Sequence, residues 1–141
     1  MRFFLAWAMT LVSMHSGSAA PAPFLSQHAI LPSQVQAYLT LLDTDNQGRI
    51  GRLSKRLLKA KDEKSRVLLA AQIKRCWRSH FQSVIGTLKN CRDVPEKTVL
   101  GRRLSEGEVR AINRAIADYE RRWAEAVRRG LADPPSGRRT N

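Results

Sequence analysis

The sequence has few of the features that identify enzymes or membrane-spanning proteins. It contains no G-x-S-x-G, H-E-x-x-H or C-x-x-C motif and no glycine-rich phosphate-binding loop, so it carries no signature of a serine hydrolase, a zinc protease, a dithiol oxidoreductase or a nucleotide-binding enzyme. Its longest mostly apolar run, Phe3 to Val12, has ten residues, whereas a bilayer-spanning helix needs about 20. We therefore expect a protein that is not an enzyme and has no permanent membrane anchor.

The short apolar run is nevertheless typical of a secretory signal peptide. Met1 and Arg2 give a positive start, and small or polar residues fill the stretch from Ser13 to Ala20. This order of positive, apolar and small residues is the one that signal peptidases process. We predict a signal peptide at residues 1–19, an exported chain that is periplasmic or secreted, and a flexible lead-in at residues 20–32.

Acidic residues are scarce, and the excess of positive charge is concentrated in one part of the chain. The sequence has 25 Lys and Arg against 12 Asp and Glu, and residues 49–92 contain 13 of the basic residues but only two of the acidic ones. A concentrated cationic surface is a candidate binding site for an anion. Nucleic acid would be the first partner in the cytoplasm, but export makes it an improbable one. We therefore predict an exported, non-enzymatic binding or accessory protein that docks on an acidic protein or an anionic envelope surface.

The predicted docking surface is a basic face on two helices. On the first of these helices the basic side chains recur at steps of three and four residues, which is the spacing of one helix face, and on the second they point away from the apolar stripe. The seven candidate binding residues are Arg49, Arg52, Arg56, Lys59, Lys74, Arg75 and Arg78.

Apolar periodicity predicts an all-α domain at residues 33–130, with three or four helices in a small bundle. The first helix is expected at residues 33–43 behind a capping box, and turn-forming residues interrupt it from Asp43 to Gly48. A second helix starts near Arg49. Residues 59–66 are compatible either with a turn capped by Asp62 or with the middle of one long helix, and we favour the turn.

The second half of the domain is expected to contain the main core helix and the last helix. The longest apolar stripe extends from Leu69 to Leu88, and a loop follows at residues 90–104. Ser105 and Glu108 form a capping box for the last helix, and Gly130 ends it. Residues 131–141 are predicted to be a disordered basic tail.

The two cysteines are expected to form a disulfide. An oxidising compartment favours a bridge between Cys76 and Cys91. A continuous helix would hold them about 22 Å apart, which no disulfide can span. We therefore expect the helix to end at Gly86 so that the chain can fold back on it.

The segment Asp43 to Ile50 resembles the start of an EF-hand or dockerin-type calcium loop. Asp43 and Asp45 occupy positions one and three, and Gly48 occupies the sharp turn. Gln47 stands at position five, and Ser54 replaces the closing bidentate Glu. The alternative function is therefore a degenerate calcium-binding protein that uses Asp43, Asp45 and Gln47, while the leading prediction has no cofactor.

A second resemblance concerns the last helix. The segment RRLSEGEVRAINRAIADYERRW, Arg102 to Trp123, is similar to the helices that follow L-T-x-x-Q motifs in a family of periplasmic helical chaperones and metal sensors. Leu104, Ser105 and Glu108 occupy the motif positions, with Glu108 in place of Gln. This resemblance implies another alternative, a periplasmic helical chaperone-like protein.

Overall fold

A computed structural model describes residues 31–136 of the chain as three α-helices. Helix α1 comprises Ser33–Lys59, α2 comprises Glu63–Asp93, and α3 comprises Glu106–Arg128, with a 3-10 turn at Pro95–Lys97. No strand occurs in this range. The all-α prediction is confirmed, and the bundle has three helices rather than four. The predicted signal peptide, nearly all of the predicted lead-in and the end of the predicted tail lie outside the described residues.

The predicted interruption of the first helix at Asp43 to Gly48 is wrong, because α1 passes through this segment without a break. Its threonine hydroxyls bond within the helix, as Thr44 Oγ1 does to the carbonyl oxygen of Thr40 at 2.9 Å. Asp43 pairs with His80 of α2, and Asn46 is buried. Contacts with α2 thus override the weak local preference of these residues for a turn.

The predicted disulfide is also wrong. Helix α2 continues through Gly86 to Asp93, and both Cys76 and Cys91 are free. Fifteen residues of unbroken helix place their Cα atoms about 22 Å apart, well beyond the 4.4–6.8 Å that a bridge requires. Cys91 instead contributes a buried side chain to the core.

Three helix ends follow the local sequence signals, but the capping box predicted at the start of α1 does not form, because the N-cap residue is Pro32 and no side chain bonds there. Asp62 caps α2 by accepting a hydrogen bond from the backbone N–H of Ser65 at 2.7 Å, so the turn prediction for residues 59–66 is confirmed. Both bonds of the Ser105–Glu108 capping box are present at the start of α3. Gly130 adopts a φ of 72° just after α3, a left-handed conformation that glycine adopts most easily.

The core forms where all three helices meet. Phe81 of α2 stacks against both Trp77 and Trp123, and its ring centroid lies 5.9 Å from each of theirs. The core cluster contains no α1 residue beyond Leu42 and no α2 residue before Trp77. The other end of the α1–α2 hairpin therefore projects beyond the three-helix core. We call residues 50–73, which form this end, the basic arm.

The segment after α3 returns to the helices. Ala132 is buried in the core cluster, and the indole Nε1 of Trp123 donates to the carbonyl oxygen of Asp133 at 3.0 Å. The backbone N–H of Asp133 donates to the carbonyl oxygen of Lys74. Residues 131–133, which the sequence analysis assigned to the tail, thus fix the end of α3 against α2 at the base of the basic arm.

Candidate functional site

The seven predicted binding residues do not share one continuous face. Arg49 and Arg75 line the same cleft between α1 and α2, whereas Lys74 and Arg78 do not line it. Neighbouring residues point about 100° apart around a helix, which separates Lys74 from Arg75. The remaining three candidates are exposed on the basic arm; they are Arg52, Arg56 and Lys59.

Ion pairing divides the described cations into two groups. Residues 49–78 contain eleven Lys and Arg, and among these only Arg49 forms a salt bridge within residues 31–136, with Asp45 at 3.0 Å. On α3, in contrast, Asp118 and Glu125 each pair with two arginines of the next turn. Such carboxylates preceding a base by three or four residues are in the favourable order along a helix. The basic arm therefore has an uncompensated positive charge, while much of the charge on α3 is balanced.

The cations of the basic arm are interspersed with exposed apolar side chains. Leu58 is 45% exposed, Val67 59% and Leu68 53%. Soluble proteins tolerate single exposed apolar residues, but apolar groups among unpaired cations also suit an interface with an anionic partner. The projecting end of the hairpin thus offers both kinds of contact.

A cleft of about 300 Å³ lies between α1 and α2. Two buried polar side chains line it, Asn46 at 6% and His80 at 9% exposure. Arg49 and Arg75 bring guanidinium groups from the two helices, and Ser79 adds a hydroxyl. Most of the residues that line this opening between the two helices are therefore of polar type.

A contact between a histidine and a carboxylate next to the cleft connects α1 to α2. The Nε2 atom of His80 lies 2.9 Å from Oδ1 of Asp43, and the His80 side chain is only 7% exposed. Asp43 also lies close enough to Tyr119 of α3 for its negative charge to act on that side chain. Burial, with this charge as a second cause, raises the pKa of Tyr119 to about 12. This pair fixes the position of His80 and leaves Nδ1 as the other polar atom of the ring.

The three predicted calcium ligands do not form a loop. Asp43, Asp45 and Gln47 occupy alternate positions of α1, and alternate positions point about 200° apart. Asp43 and Asp45 are instead paired with His80 and Arg49. No group of three His, Cys, Asp or Glu within residues 31–136 is arranged to hold a metal ion.

Cys76 and His80 lie one turn apart on the cleft side of α2. With Asp43 they give a thiol, an imidazole and a carboxylate in one neighbourhood, a combination that nucleophilic enzymes use. No hydrogen bond joins His80 to the Cys76 sulfur in the described part of the chain. The arrangement thus lacks the contact through which a base activates a nucleophile.

Sequence reasoning missed the cleft because its polar residues were assigned other roles. Asn46 was assigned to the predicted turn, and His80 falls within the apolar stripe from Leu69 to Leu88. A signal was nevertheless available, since Leu42, Asn46 and Ile50 continue the helical period at four-residue steps across the predicted turn. A polar residue in phase with an apolar stripe indicates a buried amide.

Comparisons with protein-family models, with curated proteins and with solved structures find no match to this chain. In the described range, no helix is both long and apolar enough to cross a membrane. The case for function therefore depends on the charges and geometry of the molecule itself.

Proposed function

We propose that this protein is a non-enzymatic docking protein that is exported and binds an anionic envelope surface or an acidic protein through its basic arm. The observation that carries the proposal is the uneven ion pairing described above. Of the eleven basic residues at positions 49–78, only Arg49 forms a salt bridge within the described chain. Cations without carboxylate partners are available to an external anion, whereas paired ones must first lose a partner.

The basic arm is also well placed for docking. It projects beyond the three-helix core, so a large partner can approach it without contacting α3. Its positive potential would attract anionic partners over about one Debye length, roughly 8–10 Å at physiological salt, and would accelerate their association. The exposed Leu58, Val67 and Leu68 would add apolar contacts after the encounter.

The proposal is tested by neutralising the arm. The triple variant Arg52→Gln, Arg56→Gln, Lys59→Gln removes three exposed, unpaired charges. Each Lys or Arg near an anionic lipid surface contributes about 1 kcal/mol, so the variant should bind phosphatidylglycerol vesicles about 100-fold more weakly. Co-sedimentation of the full chain at several salt concentrations measures this loss, and polyglutamate serves as the probe for an acidic protein partner.

A matched control separates the arm from total charge. The triple variant Lys97→Gln, Arg110→Gln, Arg114→Gln makes the same change in net charge at exposed positions outside the arm, and it should retain most of the binding. Neutral phosphatidylcholine vesicles measure how much the apolar run Phe3 to Val12 contributes to vesicle binding without electrostatic attraction. Equal losses in both triple variants, or binding that is indifferent to salt, would refute docking through the arm.

A further inference from the structure

The cleft between α1 and α2 contains a buried amide without a protein partner. Asn46 is only 6% exposed, yet its side chain makes no hydrogen bond in the described part of the chain. No side-chain nitrogen or oxygen that is fully shielded from solvent lacks a partner there, so the Asn46 amide must reach the open space of the cleft that it lines. Within the described chain this amide can bond only to water or to a ligand in the cleft, and a ligand group that reproduces the hydrogen bonds of such a water can replace it.

Charges around the cleft leave one cation uncompensated. Arg49 is neutralised by Asp45 at 3.0 Å, and His80 contacts Asp43 at 2.9 Å. Arg75 has no carboxylate partner within residues 31–136 and uses only Nε, which donates to the carbonyl oxygen of Ala71 at 3.4 Å. The terminal nitrogens of this guanidinium group therefore remain available to an acceptor in the cleft.

Two further donors line the same space. The hydroxyl groups of Ser79 and Ser83 lie at successive turns of α2 and make no hydrogen bond within the described chain. Together with Asn46 and Arg75 they surround the cleft with donors on two helices. Guanidinium groups bind carboxylate and phosphate oxygens in charge-assisted pairs, and hydroxyl and amide groups can bond to the remaining oxygens.

We infer that this cleft binds a small ligand through an oxyanion group held by Arg75 and Asn46. A volume of about 300 Å³ is at the small end of the range for ligand sites, which suits a phosphate or carboxylate group on a compact molecule. The inference is independent of docking through the basic arm, since that proposal depends on exposed cations nearer the tip of the hairpin.

An NMR titration of the full chain tests the site directly. Sodium phosphate and sodium acetate are added separately at constant ionic strength, and proton–nitrogen spectra follow the Asn46 side-chain amide. We expect a saturable shift of this resonance with one of the two anions, which identifies the oxyanion as phosphate or carboxylate. The Arg75→Gln variant should weaken binding about tenfold or more, the loss expected for one charge-assisted hydrogen bond.

The Arg114→Gln variant is the matched control, because it makes the same chemical change at an exposed arginine of α3, outside both the cleft and the basic arm. It should bind the anion as the unmodified protein does. Asn46→Leu assigns the amide resonance, and if that variant fails to fold, Arg75→Gln still decides the question. A shift that never saturates, no shift with either anion, or equal losses in Arg75→Gln and Arg114→Gln would overturn the inference.

Discussion

Replacing Gly86 with alanine tests whether α2 is one continuous helix. Gly86 lies inside α2, and a Cβ atom built there meets no atom within 4 Å. Alanine is about 1 kcal/mol more favourable than glycine in a helix interior, and nothing in the surroundings opposes it. Gly86→Ala should therefore raise the free energy of unfolding by about 1 kcal/mol, which corresponds to roughly 4 °C in Tm for a domain of this size.

The same substitution at Gly101 gives the opposite expectation. A Cβ atom at Gly101 also meets nothing within 4 Å, but its φ is +60°, and a left-handed backbone costs an L-residue about 1–2 kcal/mol. Gly101→Ala should therefore lower Tm, and urea unfolding followed by circular dichroism measures both variants. If Gly86→Ala were destabilising by a similar amount, Gly86 would be a helix terminus, and the continuous α2 would be refuted.

Three further predictions concern thiols and titration. Cys76 and Cys91 should remain free thiols in mild oxidant, so the intact mass should not fall by 2 Da, and a loss of 2 Da in a monomer would contradict the fold. Cys91 is 1% exposed and should resist alkylation in the native state. Burial raises the pKa of Tyr119 from 10 to about 12, so the stability contributed by the neutral phenol is complete below pH 10 and is lost as the pH rises towards 12. Absorbance titration of a Tyr38→Phe variant should show tyrosinate near pH 12 in the native state, and ionisation near pH 10 would contradict burial. The hydrogen bond from Arg102, with further hydrogen bonding from Ser105, lowers the pKa of Glu108 from 4.5 to about 2, so the stability contributed by the ionised carboxylate is complete above pH 4.5 and is lost as the pH falls through 2. The midpoint of urea unfolding should therefore depend less on pH in Glu108→Gln over this range, and an unchanged pH dependence would count against the pairing.

Three helix ends were predictable because local chemistry decides them. Asp62, Ser105 and Gly130 act through hydrogen bonds or backbone conformations that involve only their immediate neighbours. Such signals have the same effect in many tertiary settings. The start of α2 and both ends of α3 could therefore be predicted from the residues alone.

The middle of α1 was not predictable by the same reasoning, because distant residues determine it. Asp43 and Asn46 favour turns in isolation, but His80 lies 37 positions further along the chain and pairs with Asp43. A turn would also break the apolar stripe that continues through Ile50. The free energy of that packing outweighs the roughly 0.5–1 kcal/mol by which each of these turn formers disfavours a helix.

The misassigned disulfide and the missed cleft have a common physical origin in the length of the hairpin. A helix ending at Gly86 would have brought the cysteines together, and a helix ending at Asp43 would have exposed Asn46 in a loop. Because both helices are instead continuous, α1 and α2 pack against each other well beyond the core that they share with α3. Continuity separates Cys76 from Cys91, buries Asn46 beside His80, and extends the unpaired cations away from the acidic residues of α3. The features that support docking and ligand binding are thus consequences of one property, the uninterrupted length of two antiparallel helices.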